Sequence, residues 1–174
     1  MRYGNDLASR GSVIPLFREQ IRAGGPLTIT TPEMTRFLLS LDDAVDVIFS
    51  AVIGATVGET FIPRVPSARV TDIAAVMIGR RKLETVVTGI RPGEKVHEIL
   101  VSEEEAHRTV ARSARYYSIL PILPELRAAG RIEKALEREY SSADALMPRA
   151  ELKKLLERHL LTDVDREEHG ELLA

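Results

Sequence analysis

The sequence has no cysteine, which excludes both a disulfide framework and a thiolate metal site. It has no apolar run near the roughly 20 residues that span a bilayer as a helix. The opening residues Met1-Arg2-Tyr3-Gly4-Asn5 turn polar at once, unlike a secretory leader. These readings assign the chain to the cytoplasm and give this segment no membrane contact. A formal net charge of -2 supplies no basic field, so nucleic acid is not expected as a partner. No Gly-x-x-Gly-x-x-Gly loop follows an early strand, and no pyrophosphate site for a dinucleotide is recognisable. The histidines His97, His107, His159 and His169 are too dispersed for a metal site or a Ser/His/Asp triad.

What is present is an ordinary globular composition, 44% hydrophobic and 29% charged over 174 residues, enough for one compact domain. Short strands alternate with helices. Residues 2–5 read as a strand end, and Ser9, Arg10 and Ser12 crowd the loop after it, where ligands sit in open α/β sheets. A loop that only caps the next helix at Ser12 fits the same residues. Val13, Leu16, Phe17 and Ile21 form a helical stripe with Arg18, Glu19 and Arg22 outward, stopped by Ala23-Gly24-Gly25-Pro26. Leu27-Thr28-Ile29-Thr30 and Met34–Leu38 read as extended. Asp42 or Asp43 opens an apolar helix, through Val52, that is expected to be largely buried. Asp42, Asp43 and Asp46 suit the helix dipole better than a metal.

Further on, Glu59–Pro63 reads as a strand and Thr71 as the N-cap of a helix closed by Gly79. Arg80, Arg81 and Lys82 complement that helix's negative end. Ser102-Glu103-Glu104-Glu105 fits a capping box, and Arg115–Leu120 is extended. Leu126–Glu139 has a helical but Gly130-interrupted pattern. Ala150–Leu160 is amphipathic, with Leu152, Leu155, Leu156 and Leu160 on one face. Residues 163–174 read as a loose acidic tail.

The chain is organised around Thr88-Gly89-Ile90-Arg91-Pro92-Gly93-Glu94-Lys95-Val96-His97-Glu98. A β-prone run, Glu84–Thr88, leads into it. Proline fixes its own φ and biases Arg91 toward an extended conformation, while Gly93 tolerates a left-handed one. The corner holds Arg91 at the lip of a strand, and a guanidinium fixed there can grip two oxygens of a diphosphate. A solvated turn with an Arg91–Glu94 ion pair satisfies the same spacing. His97 suits either orientation of this loop or contact with a ligand.

Arg91-Pro92-Gly93-Glu94-Lys95-x-His97-Glu98 resembles a signature of the CapD-like nucleotide-sugar 4,6-dehydratases and 4-epimerases of bacterial polysaccharide synthesis. These are extended short-chain dehydrogenase/reductase proteins. The resemblance continues through Arg2-Tyr3-Gly4-Asn5, Ser9–Pro15, Leu27–Thr30, Met34–Phe37, Pro66–Arg69 and Tyr140-Ser141-Ser142. It implies an α/β fold: the C-terminal substrate-binding part of such an enzyme, short strands with packed helices, most of the Rossmann core being absent. In the family the glycine loop and a Tyr-x-x-x-Lys pair lie upstream of Arg-Tyr-Gly-Asn. Here Tyr3, Tyr116, Tyr117 and Tyr140 all lack a lysine four residues on. Asp6 stands where the family has an apolar residue, and costs stability if buried alone.

The resemblance implies a parent enzyme acting on a UDP-N-acetylhexosamine. NAD(P) takes hydride from C4; dehydratases then lose water across C5 and C6, whereas epimerases return the hydride to C4 from the other face. This chain would supply substrate binding, residues 1–162 forming that region, with the cofactor held by residues it does not contain. Carried over residue by residue, Asn5 and Ser9 contact the nucleotide sugar, Thr30 the nucleoside end and Arg91 the diphosphate. Arg10, Arg69 and Glu94 bind ligand or hold the loop. The implied partners are the UDP-sugar and either an N-terminal Rossmann portion or a second copy. Three readings stay open: a split half that needs that portion, a stand-alone binding module, and a poorly folding remnant with an exposed sheet edge.

Overall fold

The computed structural model describes residues 1–4, 7, 9, 11–127, 133–159 and 161–162. The expectations for Asn5, Asp6, Arg10, Leu160 and 163–174 lie outside them. The elements are α1 (Val13–Arg22), β1 (Leu27–Ile29), β2 (Thr35–Phe37), α2 (Leu41–Gly54), β3 (Thr60–Pro63), β4 (Ser67–Arg69) and α3 (Val70–Ile78). There follow β5 (Thr85–Val87), β6 (Ile99–Val101), α4 (Glu103–Ala106), β7 (Thr109–Ala111), β8 (Tyr116–Ile119), a 3₁₀ turn at Pro124–Leu126, β9 (Tyr140–Ser141) and α5 (Arg149–Arg158).

The strands form small separate sheets. β1 pairs in parallel with β5, and β2, β3 and β6 pair antiparallel with β4, β8 and β9; β7 adds to the far side of β8. One core lies among α1, α3, α5 and β1, centred on Phe17, Leu27, Ile73, Met77, Leu152 and Leu156. A second joins Phe37, Leu39, Ile62, Val101, Tyr117 and Tyr140. Strand alternation makes β2 the seam between them: Phe37 enters the second core, while Met34 and Leu38 on either side enter the first. Tyr140 closes the seam. Its hydroxyl donates to the Val65 carbonyl at 3.1 Å, and burial pushes its pKa up to about 12.

Several expectations need correction. Arg18, expected outward, is 6% exposed; it lies on the same face as Ile14 and Ile21, and Leu16 is the stripe residue left out. Ser40, not an aspartate, caps α2, its Oγ accepting from the Asp43 N–H at 3.1 Å. Arg69 occupies the N-cap of α3 and Thr71 is already helical, because the Val70 N–H is held by the Met34 carbonyl and β4 runs straight into the helix. Residues 133–139 are not helical. The Ala135 N–H goes to the Thr109 carbonyl, a tertiary bond in place of a helical one. Residues 2–4 form no ladder; their tie to β3 is a bond from the Arg2 N–H to the Phe61 carbonyl. Finally, α2 buries only Ala44 and Val47.

The N-terminal segment is anchored electrostatically. Arg2 donates to the Leu100 carbonyl at 2.9 Å and forks onto both Glu105 oxygens at 2.6 and 2.9 Å. That pairing holds the Glu105 carboxyl down at about 2. A depressed carboxylate stabilises the fold above its unfolded pKa, about 4.3, and loses that contribution as pH falls toward the folded value. The urea midpoint is therefore expected to fall between pH 5 and pH 2 by more in the wild type than in Arg2→Met. Parallel curves for the two proteins would show that the pair contributes nothing.

Candidate functional site

A cavity of about 240 Å³ opens between the start of α1, the end of β1, β2 and the loop before β6. Its polar lining comes from Ser12, Thr28, Thr30, Arg36, Glu94 and Glu98. The α1 end is built for an anion. Gly11 takes φ +79°, Ser12 is the N-cap, and its Oγ is buried with no hydrogen-bond partner. No acidic residue sits in the first turn, so the positive end of the helix dipole opens on the cavity with no carboxylate of its own helix against it, the carboxylates of the cavity wall being Glu94 and Glu98.

Across from α1, the loop after β5 lies along the end of β1. The Thr88 N–H donates to the Ile29 carbonyl at 2.8 Å and the Gly89 N–H to the Thr30 carbonyl at 3.1 Å. The chain then turns at Arg91-Pro92-Gly93-Glu94, with the Glu94 N–H on the Arg91 carbonyl at 3.1 Å and Gly93 at φ +87°. Proline second and a left-handed glycine third are what a type II turn requires. Glu94 Oε2 accepts from the Arg91 N–H at 3.1 Å. The carboxylate therefore ties the backbone of the turn, and no side-chain ion pair with Arg91 forms. Arg91 itself is exposed, and its guanidinium has no hydrogen bond or ion pair among the described residues.

Behind the cavity lies a polar cluster that sequence reasoning did not single out. The Arg36 guanidinium donates to the Thr35 carbonyl at 2.7 Å and lies 3.7 Å from Glu98 Oε1. Burial pushes the Glu98 carboxyl above its ordinary range, against the pull of Arg36. Glu98 Oε2 is buried with no hydrogen-bond partner. A Cβ on Gly4 would sit 3.2 Å from that oxygen, so glycine leaves the carboxylate its room. Next to it, Thr35 Oγ1 lies 2.8 Å from His97 Nδ1 and 2.6 Å from Ser142 Oγ, while the Glu98 N–H donates to Ser142 Oγ at 2.9 Å. Ser142 Oγ also donates to the Thr35 carbonyl at 3.2 Å. All four contacts are met at once when His97 Nδ1–H donates to Thr35, whose hydroxyl donates to Ser142. His97 thus fixes the loop to β2.

Of the residues expected at the site, the structure brings Thr30 and Glu94 together on the cavity. Arg91 is exposed on the turn whose Glu94 lines the cavity, and does not itself line it. Ser9 is half-buried, and its carbonyl receives the Ser12 N–H at 3.0 Å, shaping the turn into α1. Arg69 is exposed at the end of β4 and does not line the cavity. Asn5 and Arg10 lie outside the described residues. Arg36, Glu98, Thr35 and Ser142 were legible only as members of separate short motifs. Nothing in their spacing showed that the motifs meet. Asp43 and Asp46 pair with Arg115 at 3.6 and 3.0 Å.

Comparison with known proteins gives the class. The family model described as "Polysaccharide biosynthesis protein" matches residues 1–121. UDP-N-acetylglucosamine 4,6-dehydratase (inverting) of Campylobacter jejuni is 43% identical over 121 residues, 69% of this chain and 35% of that protein. A UDP-glucose 4-epimerase of Rickettsia rickettsii is 45% identical over 123 residues, 70% of this chain and 36% of its own. The solved structure of Pen from Bacillus thuringiensis superposes with a TM-score of 0.79 at 31% identity, over 92% of this chain and 49% of that one. The chain belongs to the polysaccharide biosynthesis protein family, the CapD-like nucleotide-sugar dehydratases and epimerases, and carries part of an extended short-chain dehydrogenase/reductase fold. It spans about a third of the length of the curated relatives it matches. No helix among the described residues is long and apolar enough to cross a membrane.

Proposed function

We propose that this chain binds the UDP-N-acetylhexosamine substrate of a nucleotide-sugar 4,6-dehydratase. The observation that carries the reading is the convergence, on one cavity, of a helix N-terminus with no acidic residue in its first turn and of the turn that carries Arg91, through its Glu94. The α1 terminus and Arg91 take the diphosphate from two sides. Thr30 and the end of β1 meet the nucleoside, Ser9 and Glu94 hold the two flanking turns, and Asn5 and Arg10 add contacts by resemblance to the family. Arg69 has no assigned contact. The gain to the reaction is orientation: a sugar held by its diphosphate presents one ring face to the redox group.

The lining does not suit NAD(P) as a second occupant. One helix N-terminus serves one pyrophosphate, so a bound sugar nucleotide leaves none for a dinucleotide. The dinucleotide of the parent enzyme therefore belongs to residues outside this cavity. The Rickettsia relative, at 45% identity, favours a 4-epimerase as second reading. It needs the same substrate half.

Calorimetric titration of the folded chain with UDP-N-acetylglucosamine, and separately with NAD, tests this. Heat of binding is expected with the sugar nucleotide and none with NAD. A folded chain that takes up NAD but not the sugar nucleotide overturns the reading.

A further inference from the structure

Glu98 is an acid on the wall of a cavity whose proposed occupant carries a diphosphate. It stands one residue before β6 and lines the cavity beside Arg36 and Phe37 of β2. Its backbone is held on both sides by Ser142: the Glu98 N–H donates to Ser142 Oγ at 2.9 Å, and its carbonyl accepts from the Ser142 N–H at 2.8 Å. The carboxylate is not held in the same way. Oε1 lies 3.7 Å from Arg36 Nε, an ion-pair separation too long for a hydrogen bond. The Arg36 guanidinium directs its hydrogen bonds elsewhere, to the Thr35 carbonyl at 2.7 Å and the Val96 carbonyl at 3.3 Å. Oε2 is buried with no hydrogen-bond partner. Glu98 is thus fixed in place with acceptor capacity left over.

A half-buried carboxylate short of hydrogen bonds is costly in the free chain, and it repels a diphosphate bound at the α1 terminus. The diphosphate gives nothing back, because it has no proton to donate. The donors of a UDP-N-acetylhexosamine are the imide N–H of the base, the ribose hydroxyls, and the hydroxyls and acetamido N–H of the sugar. Thr28, Ile29 and Thr30 line the β1 wall, where the nucleoside is placed. Glu98 belongs to a different wall. With Phe37 it surrounds Gly4, where a Cβ would stand 3.2 Å from Glu98 Oε2 and 3.5 Å from the Phe37 Cβ. We propose that the Glu98 carboxylate reads the hexosyl group, accepting a hydrogen bond from one of its hydroxyls or from its acetamido N–H, and so separates the sugar nucleotide from UDP. The inference rests on reading the cavity as the sugar-nucleotide site.

The test is calorimetric titration of the full chain with UDP, UDP-glucose and UDP-N-acetylglucosamine, on wild type, Glu98→Gln and Gly4→Ala. Wild type is expected to prefer UDP-N-acetylglucosamine over UDP by about ten-fold or more, as for a hydrogen bond to a charged acceptor. Glutamine keeps the shape but loses the charge and brings two donors of its own. Glu98→Gln is therefore expected to reduce the preference to about two-fold or less, while UDP itself binds more tightly because a like charge has left its surroundings. Gly4→Ala leaves the carboxylate in place and crowds Oε2; it is expected to lower the preference as well, and it reads the same contact should Glu98→Gln not fold. UDP-glucose identifies the donor. A loss shared by UDP-glucose assigns a hydroxyl, and a loss confined to UDP-N-acetylglucosamine assigns the acetamido N–H.

Equal weakening of UDP and UDP-N-acetylglucosamine in Glu98→Gln overturns the proposal, because a residue that only holds Arg36 moves both alike. So does an unchanged preference in the folded variants. A wild type that binds UDP and UDP-N-acetylglucosamine equally well also overturns it, and leaves the cavity a site for the nucleoside diphosphate. A folded wild type that binds neither defeats the functional reading itself, and this inference with it.

Discussion

Replacing Arg91 by alanine is expected to weaken UDP-N-acetylglucosamine binding by about 2–3 kcal/mol, roughly 30- to 150-fold, the contribution of a charge-assisted hydrogen bond to a phosphate. The fold is expected to survive. The turn is held by backbone bonds and by the Glu94 carboxylate on the Arg91 N–H, all of which alanine keeps. Because the guanidinium has no partner among the described residues, its removal strands nothing. Arg91→Lys keeps the charge and loses the fork, so an intermediate affinity is expected. Titration calorimetry on the three proteins reads the effect directly. Wild-type affinity in a folded Arg91→Ala chain would remove Arg91 from the site.

The largest effect on stability from one atom is expected at Ser142. Its hydroxyl is fully buried and joins the Glu98 N–H, Thr35 Oγ1 and the Thr35 carbonyl. In Ser142→Ala the Glu98 N–H loses its acceptor and the Thr35 hydroxyl one of its partners. Each buried group left unpaired costs about 1–3 kcal/mol, so a total loss of about 2–4 kcal/mol is expected in a urea unfolding experiment. The same change frees the segment that carries Glu98 and, through His97, the Arg91 loop. Sugar-nucleotide affinity is thus expected to fall as well, by less than in Arg91→Ala. A variant as stable as wild type would mean that the cluster is satisfied in another way.

Much of this architecture could be read locally. α1, α3, α4 and α5, the glycine stops at Gly24 and Gly79, and the Ser102 capping box follow from side-chain periodicity and from termini that satisfy their own backbone groups. The turn at Arg91 was equally legible, because proline and glycine fix dihedral angles whatever surrounds them. Reading failed where a distant partner decides. Leu126–Glu139 carries a helical pattern, yet Ala135 gives its N–H to Thr109. Arg18 lies on the buried side of α1 although its charge argues for solvent. α2 looked like a core helix because its composition does not say which of two apolar faces the chain itself can cover.

The sequence by itself determined the family, through an ordered set of short motifs, and the local chemistry of the loop that presents Arg91. Only the tertiary structure decided that Thr35, His97 and Ser142, from three of those motifs, form one hydrogen-bonded cluster, and that Arg36 and Glu98 back the same cavity. It alone separated the covered face of α2 from the open one. The division has a simple cause: dihedral preference and periodicity are properties of neighbours in the chain, whereas burial and hydrogen-bond pairing are properties of neighbours in space.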